Sequence, residues 1–483
     1  MADMLDLPAL AREIARGERS IEDLTRSCLE RIARDDGEYR SVIALDEHAL
    51  DAARALDAER SKSGVRGRLF GIPLLIKDNI ETAGALPTTA GSLALAANVT
   101  GRDAPVVAAL HADGAVILGK TNLSEWANFR SRHSSSGWSA VGGQTRNAHD
   151  LARSPCGSSS GSAVAVAAGF APGAIGTETN GSIVCPASVN GVVAIKPTVG
   201  LVSRSRIVPI SVTQDTAGPM ASTVAGAATL LSAMTAYDDE DPAMRAARPH
   251  LGRDYAQALG ATSLHGRRIG AVMGSGRFHP EVEPLFRDAL ARLRTAGAEI
   301  VPDLRFSPPD AFRDAMLDVM LYEFRDGIDR YLASSPAPVP ADLAALIAFN
   351  REHATEEMSF FGQDLFELAQ AKGGLQEERY LRARELVRRV TREEGIDGLM
   401  TAERLDAIVG VTSGPAWTID SVNGDRAVGG SSTYGAVAGY PHVTLPMGSI
   451  QGLPVGLSVM GRAFSEPQLL EIAAVFERVR GPR

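Results

Sequence analysis

The pattern of apolar and polar positions predicts alternating helices and short buried strands. Residues 1–62 carry apolar side chains at helical spacing in LPALAREIARG, SIEDLTRSCLERIAR and HALDAARALDAER. Ser20, followed three residues later by Asp23, predicts the start of the second helix. The apolar runs FGIPLLIKD and AVILG then predict buried strands, with a helix before the second one. This alternation indicates a parallel α/β layer.

The same pattern continues to the last residues of the chain. GSAVAVAAGFA predicts a helix of small residues that packs closely against a sheet, and GVVAIKPT, RRIGAVM, EIVPDL, LDAIVGVT, PHVTLPMG and LPVGLSVMG predict strands. We therefore expect one domain over residues 1–483. Within it we predict a helical segment (1–62), a core (63–235), a mostly helical insertion (240–400), and C-terminal strands and a helix (401–483) that complete the sheet.

Composition excludes several classes of partner. The 49 Lys and Arg residues against 58 Asp and Glu give a net charge of −9, without a basic run, so we expect no nucleic-acid partner. No apolar run approaches the ~18 residues that span a bilayer, and the first residues lack a secretory pattern. We therefore expect no membrane partner and a cytoplasmic protein. No motif such as HExxH indicates a metal, and we expect no cofactor.

The cysteines are few. Cys28, Cys156 and Cys185 form neither a disulfide framework nor a zinc pattern. We expect Cys156 and Cys185 to be small, buried, reduced residues.

The candidate chemistry lies in a glycine- and serine-rich stretch, residues 154–200. GSSSG matches a nucleophile elbow centred on Ser159, but that motif needs a strand directly before it, and NAHDLARSPC is polar loop. A phosphate loop would need a GK[ST] ending, and a flexible linker would not precede so long a patterned segment. The remaining interpretation is a serine nucleophile with a lysine base. Lys77 follows the apolar run GIPLLI and suits the role of the base, because burial favours the neutral amine. A lysine at a strand end is, however, often a surface charge.

Lys77 in GIPLLIKDN, the GSSSGS loop and GTETNGSIVCPA resemble, in order and spacing, the amidase signature family of serine hydrolases. The segments NLSEWANFR, QDTAGPM and AGYPHVTLPMG are most similar to its bacterial peptide amidases. The resemblance implies an α/β fold with a large mixed β-sheet flanked by α-helices on both faces. It also implies that Ser182 is the nucleophile, that Ser158 is a second catalytic serine after a cis peptide bond, and that Lys77 is the base.

Further site residues follow from the same resemblance. The backbone N–H groups of Thr179, Asn180, Gly181 and Ser182 occupy the position of the family's oxyanion hole. Ser159 would support the network by hydrogen bonding, or would serve only the start of a helix. Asp215 in QDTAGP is expected to be a structural turn residue.

The implied activity is hydrolysis of a carboxamide, in a C-terminal peptide amide or an amino-acid amide, through an acyl-enzyme. The alternatives are an aryl amide, ester or carbamate hydrolase, and a glutamine-handling subunit of an amidotransferase complex. We expect a monomer or homodimer without metal. Two departures from the family pattern stand out: Asn180, where peptide amidases tend to carry Asp, and Val184, where the wider family has arginine. The valine argues against an amidotransferase subunit.

Overall fold

A computed structural model describes residues 4–426 and 428–481 of the chain. Its helices are α1 (Leu7–Ala15), α2 (Ile21–Tyr39), α3 (Ala49–Ser63), α4 (Pro105–Ala112), α5 (Ser160–Ala167), α6 (Val184–Val189), α7 (Val224–Met234), α8 (Met244–Ala247), α9 (Val282–Thr295), α10 (Phe312–Ser334), α11 (Leu343–Glu352), α12 (Ala354–Glu357), α13 (Asp364–Gln370), α14 (Glu378–Thr391), α15 (Asp397–Ala402), α16 (Ser432–Ala438) and α17 (Glu466–Val479). Its strands are β1 (Val42–Leu45), β2 (Pro73–Lys77), β3 (Val116–Thr121), β4 (Trp138–Ser139), β5 (Gly143–Gln144), β6 (Gly173–Glu178), β7 (Val193–Lys196), β8 (Thr216–Ala221), β9 (Arg268–Val272), β10 (Glu299–Leu304), β11 (Ala407–Val411), β12 (His442–Ile450) and β13 (Leu453–Met460).

Eleven of these strands form one mixed sheet, in the order β1-β3-β2-β6-β8-β7-β12-β13-β11-β9-β10. β2 runs parallel to β3 and β6, and β9 runs parallel to β10 and β11. The other neighbours are antiparallel. The sheet therefore combines strands from the whole length of the chain, and the last strands complete a sheet that begins early.

Helices cover both faces of this sheet, as the glycines of β6 show. A Cβ on Gly173 would lie 2.7 Å from Leu230 Cδ1 in α7, whereas a Cβ on Gly176 would lie 2.7 Å from Ser159 Oγ at the start of α5. Residues three apart in a strand point to opposite faces. Glycine is needed at both positions because the helices lie so close. The predicted mixed sheet with helices on both faces is confirmed.

The N-terminal helices are also present as predicted. Ser20 caps α2, and its side chain accepts a hydrogen bond from the backbone N–H of Asp23. Between α2 and α3 the chain forms β1, which pairs antiparallel with β3 at the edge of the sheet. β1 was not predicted, since its four residues are too few for a clear period.

The helical region after β10 packs around two apolar clusters, which also include residues from elsewhere in the chain, such as Trp126 and Val437. One joins α10, α11 and α13 and contains Phe324 and Phe366, and another joins α10 to α14 and contains Tyr380. Residues 240–400 also supply β9 and β10 to the main sheet. The proposed domain boundaries stay a prediction. Within residues 4–426 and 428–481, no helix combines the length and the apolar character needed to cross a bilayer.

Candidate active site

Lys77 lies at the end of β2, in the interior of the protein, with 0% of its surface exposed. Its Nζ donates hydrogen bonds to Ser158 Oγ at 2.7 Å and to Thr177 Oγ1 at 2.8 Å. Burial lowers the pKa of this lysine to about 7, although the nearby carboxylates of Asp215 and Glu178 raise it. A substantial fraction of Lys77 is therefore neutral near neutral pH, and a neutral amine can accept a proton.

Ser158 lies in the GSSSG loop, between β5 and α5, and follows a cis peptide bond from Gly157. A Cβ on Gly157 would lie 2.1 Å from Ser124 Oγ, so a larger residue would require the Ser124 side chain to move. The next residue, Ser159, makes no side-chain cap for α5. Its Oγ instead donates to Thr177 O at 3.0 Å and accepts from Thr177 N at 3.1 Å. The side chain of Ser159 thus ties the loop to β6, and its supporting role in catalysis stays a prediction.

Ser182 lies in a turn between β6 and α6, and 8% of its surface is exposed. Its carbonyl oxygen accepts a hydrogen bond from the N–H of Ser159 at 3.0 Å, which joins the two serine-containing turns. Gly181 has a φ of +87°, a conformation that favours glycine. Among the described residues, neither Ser182 Oγ nor the backbone N–H groups of residues 179–182 have a hydrogen-bond partner. These N–H groups are free to bind a ligand oxygen.

Two carboxylates, half-buried Asp215 and buried Glu178, hold this turn. Asp215 accepts from Thr179 Oγ1 at 2.6 Å and from the N–H groups of Ile210 and Ser211, so its predicted turn role is confirmed. Burial raises the pKa of Asp215 to about 6. Glu178, the last residue of β6, accepts from the two N–H groups that follow Ser182. Glu178 was not predicted from the sequence, although it is the only charged residue between positions 154 and 195.

Asn180 faces the helical region. Its Oδ1 accepts a hydrogen bond from Ser432 Oγ at 3.0 Å, and its Nδ2 lies 3.8 Å from Met316 Sδ. Met316 also lines a cavity of about 940 Å³, together with an aromatic group of residues: Phe306, Phe312 and Tyr434. The cavity is therefore connected to Asn180 through Met316, and none of residues 179–182 lines it.

The structure corrects one expectation. Cys156 and Cys185 form a disulfide bond, with their Cα atoms 6.0 Å apart, so the prediction of two reduced cysteines is wrong. The residues are 29 positions apart in sequence, and only the folded turns bring them within the range of a disulfide. Cys156 precedes Ser158 by two residues, and Cys185 follows Ser182 by three. The bond thus connects the two serine-containing turns covalently.

The buried histidine His442 lies outside this arrangement, and no metal site adjoins it among the residues that the structure describes. His442 is buried beside Ser458, and burial lowers its pKa to about 3. In the described part of the chain, no group of three or more His, Cys, Asp and Glu side chains could hold a metal ion. The arrangement of a buried lysine, two serines and free N–H groups is suited to acyl transfer.

Comparison with known proteins agrees with this geometry. The sequence profile of the family described as Amidase matches residues 23–470. The chain belongs to the amidase signature family. It is therefore an enzyme that hydrolyses amide bonds.

Individual relatives cover nearly the whole chain. The structure of a peptide amidase from Stenotrophomonas maltophilia is 49% identical with a TM-score of 0.95, and the match covers 99% of this chain and 97% of that one. A probable amidase of Arabidopsis thaliana is 38% identical over 95% of this chain and 86% of its own length. A glutamyl-tRNA(Gln) amidotransferase subunit of Symbiobacterium thermophilum is 34% identical over 99% of this chain and 97% of its own length. These relatives include both amidases and an amidotransferase subunit.

Proposed function

We propose that this amidase hydrolyses the terminal carboxamide of peptides or amino-acid amides to the acid and ammonia. The observation that carries the proposal is the 2.7 Å hydrogen bond from buried Lys77 to Ser158, next to a turn whose N–H groups are free. The 49% identity with a peptide amidase supports the choice of substrate.

The proposed reaction begins with proton transfer. Neutral Lys77 takes a proton from Ser158, which takes one from Ser182, and Ser182 Oγ forms a bond to the amide carbonyl carbon. The resulting oxyanion accepts hydrogen bonds from the N–H groups of residues 179–182, where each donor contributes roughly 10²–10³ in rate. The C–N bond then breaks as the nitrogen receives a proton back through Ser158, and ammonia leaves.

The second half of the reaction reuses the same groups. Water attacks the ester carbonyl of the acyl-enzyme and gives its proton to Lys77 through Ser158. The C–O bond to Ser182 breaks, Ser182 recovers its proton, and the acid leaves. The sum is one amide and one water converted to one acid and one ammonia.

In the proposed path, the hydrogen bond between the hydroxyl groups of Ser182 and Ser158 forms only when substrate binds. Among the described residues, no hydrogen bond joins the hydroxyl groups of Ser158 and Ser182. Catalytic hydrogen bonds in free enzymes are commonly long and shorten when substrate binds. Because Ser182 Oγ has no competing partner, it can rotate towards Ser158 at that point.

The cavity of about 940 Å³ next to Asn180 is where we place the acyl part of the substrate. The rings of Phe306 and Tyr434 stack at 3.8 Å within its lining. The lining also carries charged side chains, among them Arg287, Arg313 and Asp314. We therefore expect a preference for amides whose neighbouring side chain is large, without a restriction to apolar side chains.

The experiment is ammonia release by the purified single chain, against peptide amides, amino-acid amides, glutamine, anilides and carbamates. The proposal predicts the highest kcat/KM on peptide or amino-acid amides, without added proteins, and no ammonia release by Ser182→Ala. Glutamine as the only good substrate, with dependence on added proteins, would instead support an amidotransferase subunit, in line with the 34% identical relative. Faster hydrolysis of anilides or carbamates would support the aryl amide, ester or carbamate hydrolase.

The remaining expectations are a monomer or homodimer with no nucleic-acid or membrane partner. A cytoplasmic location stays a prediction. The disulfide argues against it, because such bonds persist mainly in oxidising compartments.

A further inference from the structure

Glu178 connects the centre of the sheet to the nucleophile turn. It is the last residue of β6, and 1% of its surface is exposed. Its Oε2 accepts hydrogen bonds from Ile183 N at 2.8 Å and from Val184 N at 3.0 Å. These are the two residues directly after Ser182. A single carboxylate oxygen therefore fixes the exit of the turn to a rigid central strand.

The second oxygen of this carboxylate has a different environment. Among the described residues, Glu178 Oε1 is buried without a hydrogen-bond partner. A buried carboxylate oxygen without a hydrogen-bond partner is favoured by nearby cations. Lys77 on β2 lies close to Glu178, since its Nζ donates a hydrogen bond to Thr177 O, the carbonyl directly before Glu178, at 3.3 Å. Glu178 raises the pKa of Lys77 and of Lys196 on β7.

Lys77 is surrounded by few charges. Asp215 and Glu178 are the acidic groups that act on it, and its hydrogen-bond partners, Ser158 and Thr177, are neutral. Lys196 also interacts with Glu466, and it lowers the pKa of His442. Asp215 contacts the side chain of Thr179 at the start of the turn, whereas Glu178 accepts hydrogen bonds from the two backbone N–H groups directly after Ser182. Both carboxylates act on the proposed base.

We infer that Glu178 is a positioning residue that holds the Ser182 turn through Oε2 and places a negative charge beside Lys77. This inference rests on the proposed function, because both effects act on the proposed nucleophile and base. The two effects are separable, since one needs an acceptor oxygen and the other needs a negative charge.

The experiment compares Glu178→Gln with Glu178→Ala, using pH profiles of kcat and KM on a peptide amide. The Gln variant keeps an oxygen that can accept both N–H groups and loses the charge. We expect its alkaline plateau to stay within about threefold of wild type, while its acid limb moves down by about one pH unit. The Ala variant loses the acceptor too, and its kcat should fall by about 10–100-fold at every pH with little change in KM.

Glu466 offers a matched control. It is also 1% exposed, its Oε1 accepts from Thr198 N at 2.7 Å, and its Oε2 has no partner among the described residues. It acts on Lys196 and not on Lys77. Glu466→Gln should therefore leave the acid limb in place. Thermal unfolding of each variant checks that the fold is retained.

Glu178→Asp covers the case in which the Gln variant does not fold. It keeps the charge and shortens the reach, so its acid limb should stay at the wild-type pH while kcat falls by about tenfold. If the acid limb of Glu178→Gln stays at the wild-type pH, the electrostatic role is overturned. The same holds if the acid limb of Glu178→Asp, which keeps the charge, moves down by about one pH unit. A wild-type kcat in Glu178→Ala overturns the positioning role. A wild-type chain without amide hydrolysis would refute the proposed function instead.

Discussion

Removal of the Cys156–Cys185 disulfide should destabilise the protein by a predictable amount. The two residues are 29 positions apart, and a bond closing a loop of about 30 residues restricts the unfolded chain by about 3.6 kcal/mol at 25 °C. With about 2.1 cal/mol/K of unfolding entropy per residue, a chain of 483 residues should lose about 3–4 °C in Tm. The perturbation is the double change Cys156→Ser and Cys185→Ser.

Thermal unfolding of wild type and the double variant, each with and without a reductant, measures this loss. Reduction should lower the Tm of wild type towards that of the variant and leave the variant unchanged. Thiol titration of the denatured, unreduced wild type should find only the thiol of Cys28. Three titratable thiols, or a double variant as stable as wild type in oxidising buffer, would refute the reasoning.

The other predictions concern the proposed site. Lys77→Met should lower kcat by about 10²–10⁴-fold, and a wild-type rate would remove this lysine from the mechanism. Since burial lowers the pKa of Lys77 to about 7 and only its neutral form accepts a proton, kcat should rise with pH up to about 7 and then level off; a rate flat from about pH 5 upwards would contradict this. Ser159→Ala should lower kcat by about tenfold, because Thr177 loses both hydrogen bonds to that side chain; an unchanged kcat would show that these hydrogen bonds do not support catalysis. Asn180→Asp should raise the ratio of kcat/KM for amides with a free cationic amine to kcat/KM for capped amides by about fivefold, because the added carboxylate attracts the amine by ~1 kcal/mol. The same ratio in wild type and variant would mean that residue 180 does not contact the amine.

The strands with strong apolar signals could be predicted from the sequence, and those built from small residues could not. β2 is the uninterrupted run PLLIK, whereas β6 is GAIGTE and β8 is TAGPMA. Gly, Ala and Pro are poor strand formers, and the close packing of neighbouring elements favours Gly at positions 173 and 176 of β6 and 218 of β8. Tertiary packing therefore overrides local propensity in the centre of the sheet, where Thr177 and Glu178 lie.

In the site, too, residues in distinctive motifs could be predicted from the sequence, whereas contacts that depend on tertiary packing could not. Lys77, Ser158 and Ser182 were predicted because their motifs are distinctive, and the structure brings Lys77 and Ser158 together. Proximity between Cys156 and Cys185 depends on how two turns pack, which no local pattern encodes. Glu178 carried a usable signal, since a lone charge within an apolar stretch of small residues must have buried partners.

Covalent labelling tests most directly the claim that Ser182 is the nucleophile. The enzyme would be treated with a serine-reactive fluorophosphonate and digested, and the modified residue located by mass spectrometry. We predict one adduct, on Ser182, that is absent in Ser182→Ala and forms much more slowly in Lys77→Met. An adduct on Ser158 or Ser159, or undiminished labelling of Ser182→Ala, would contradict this claim.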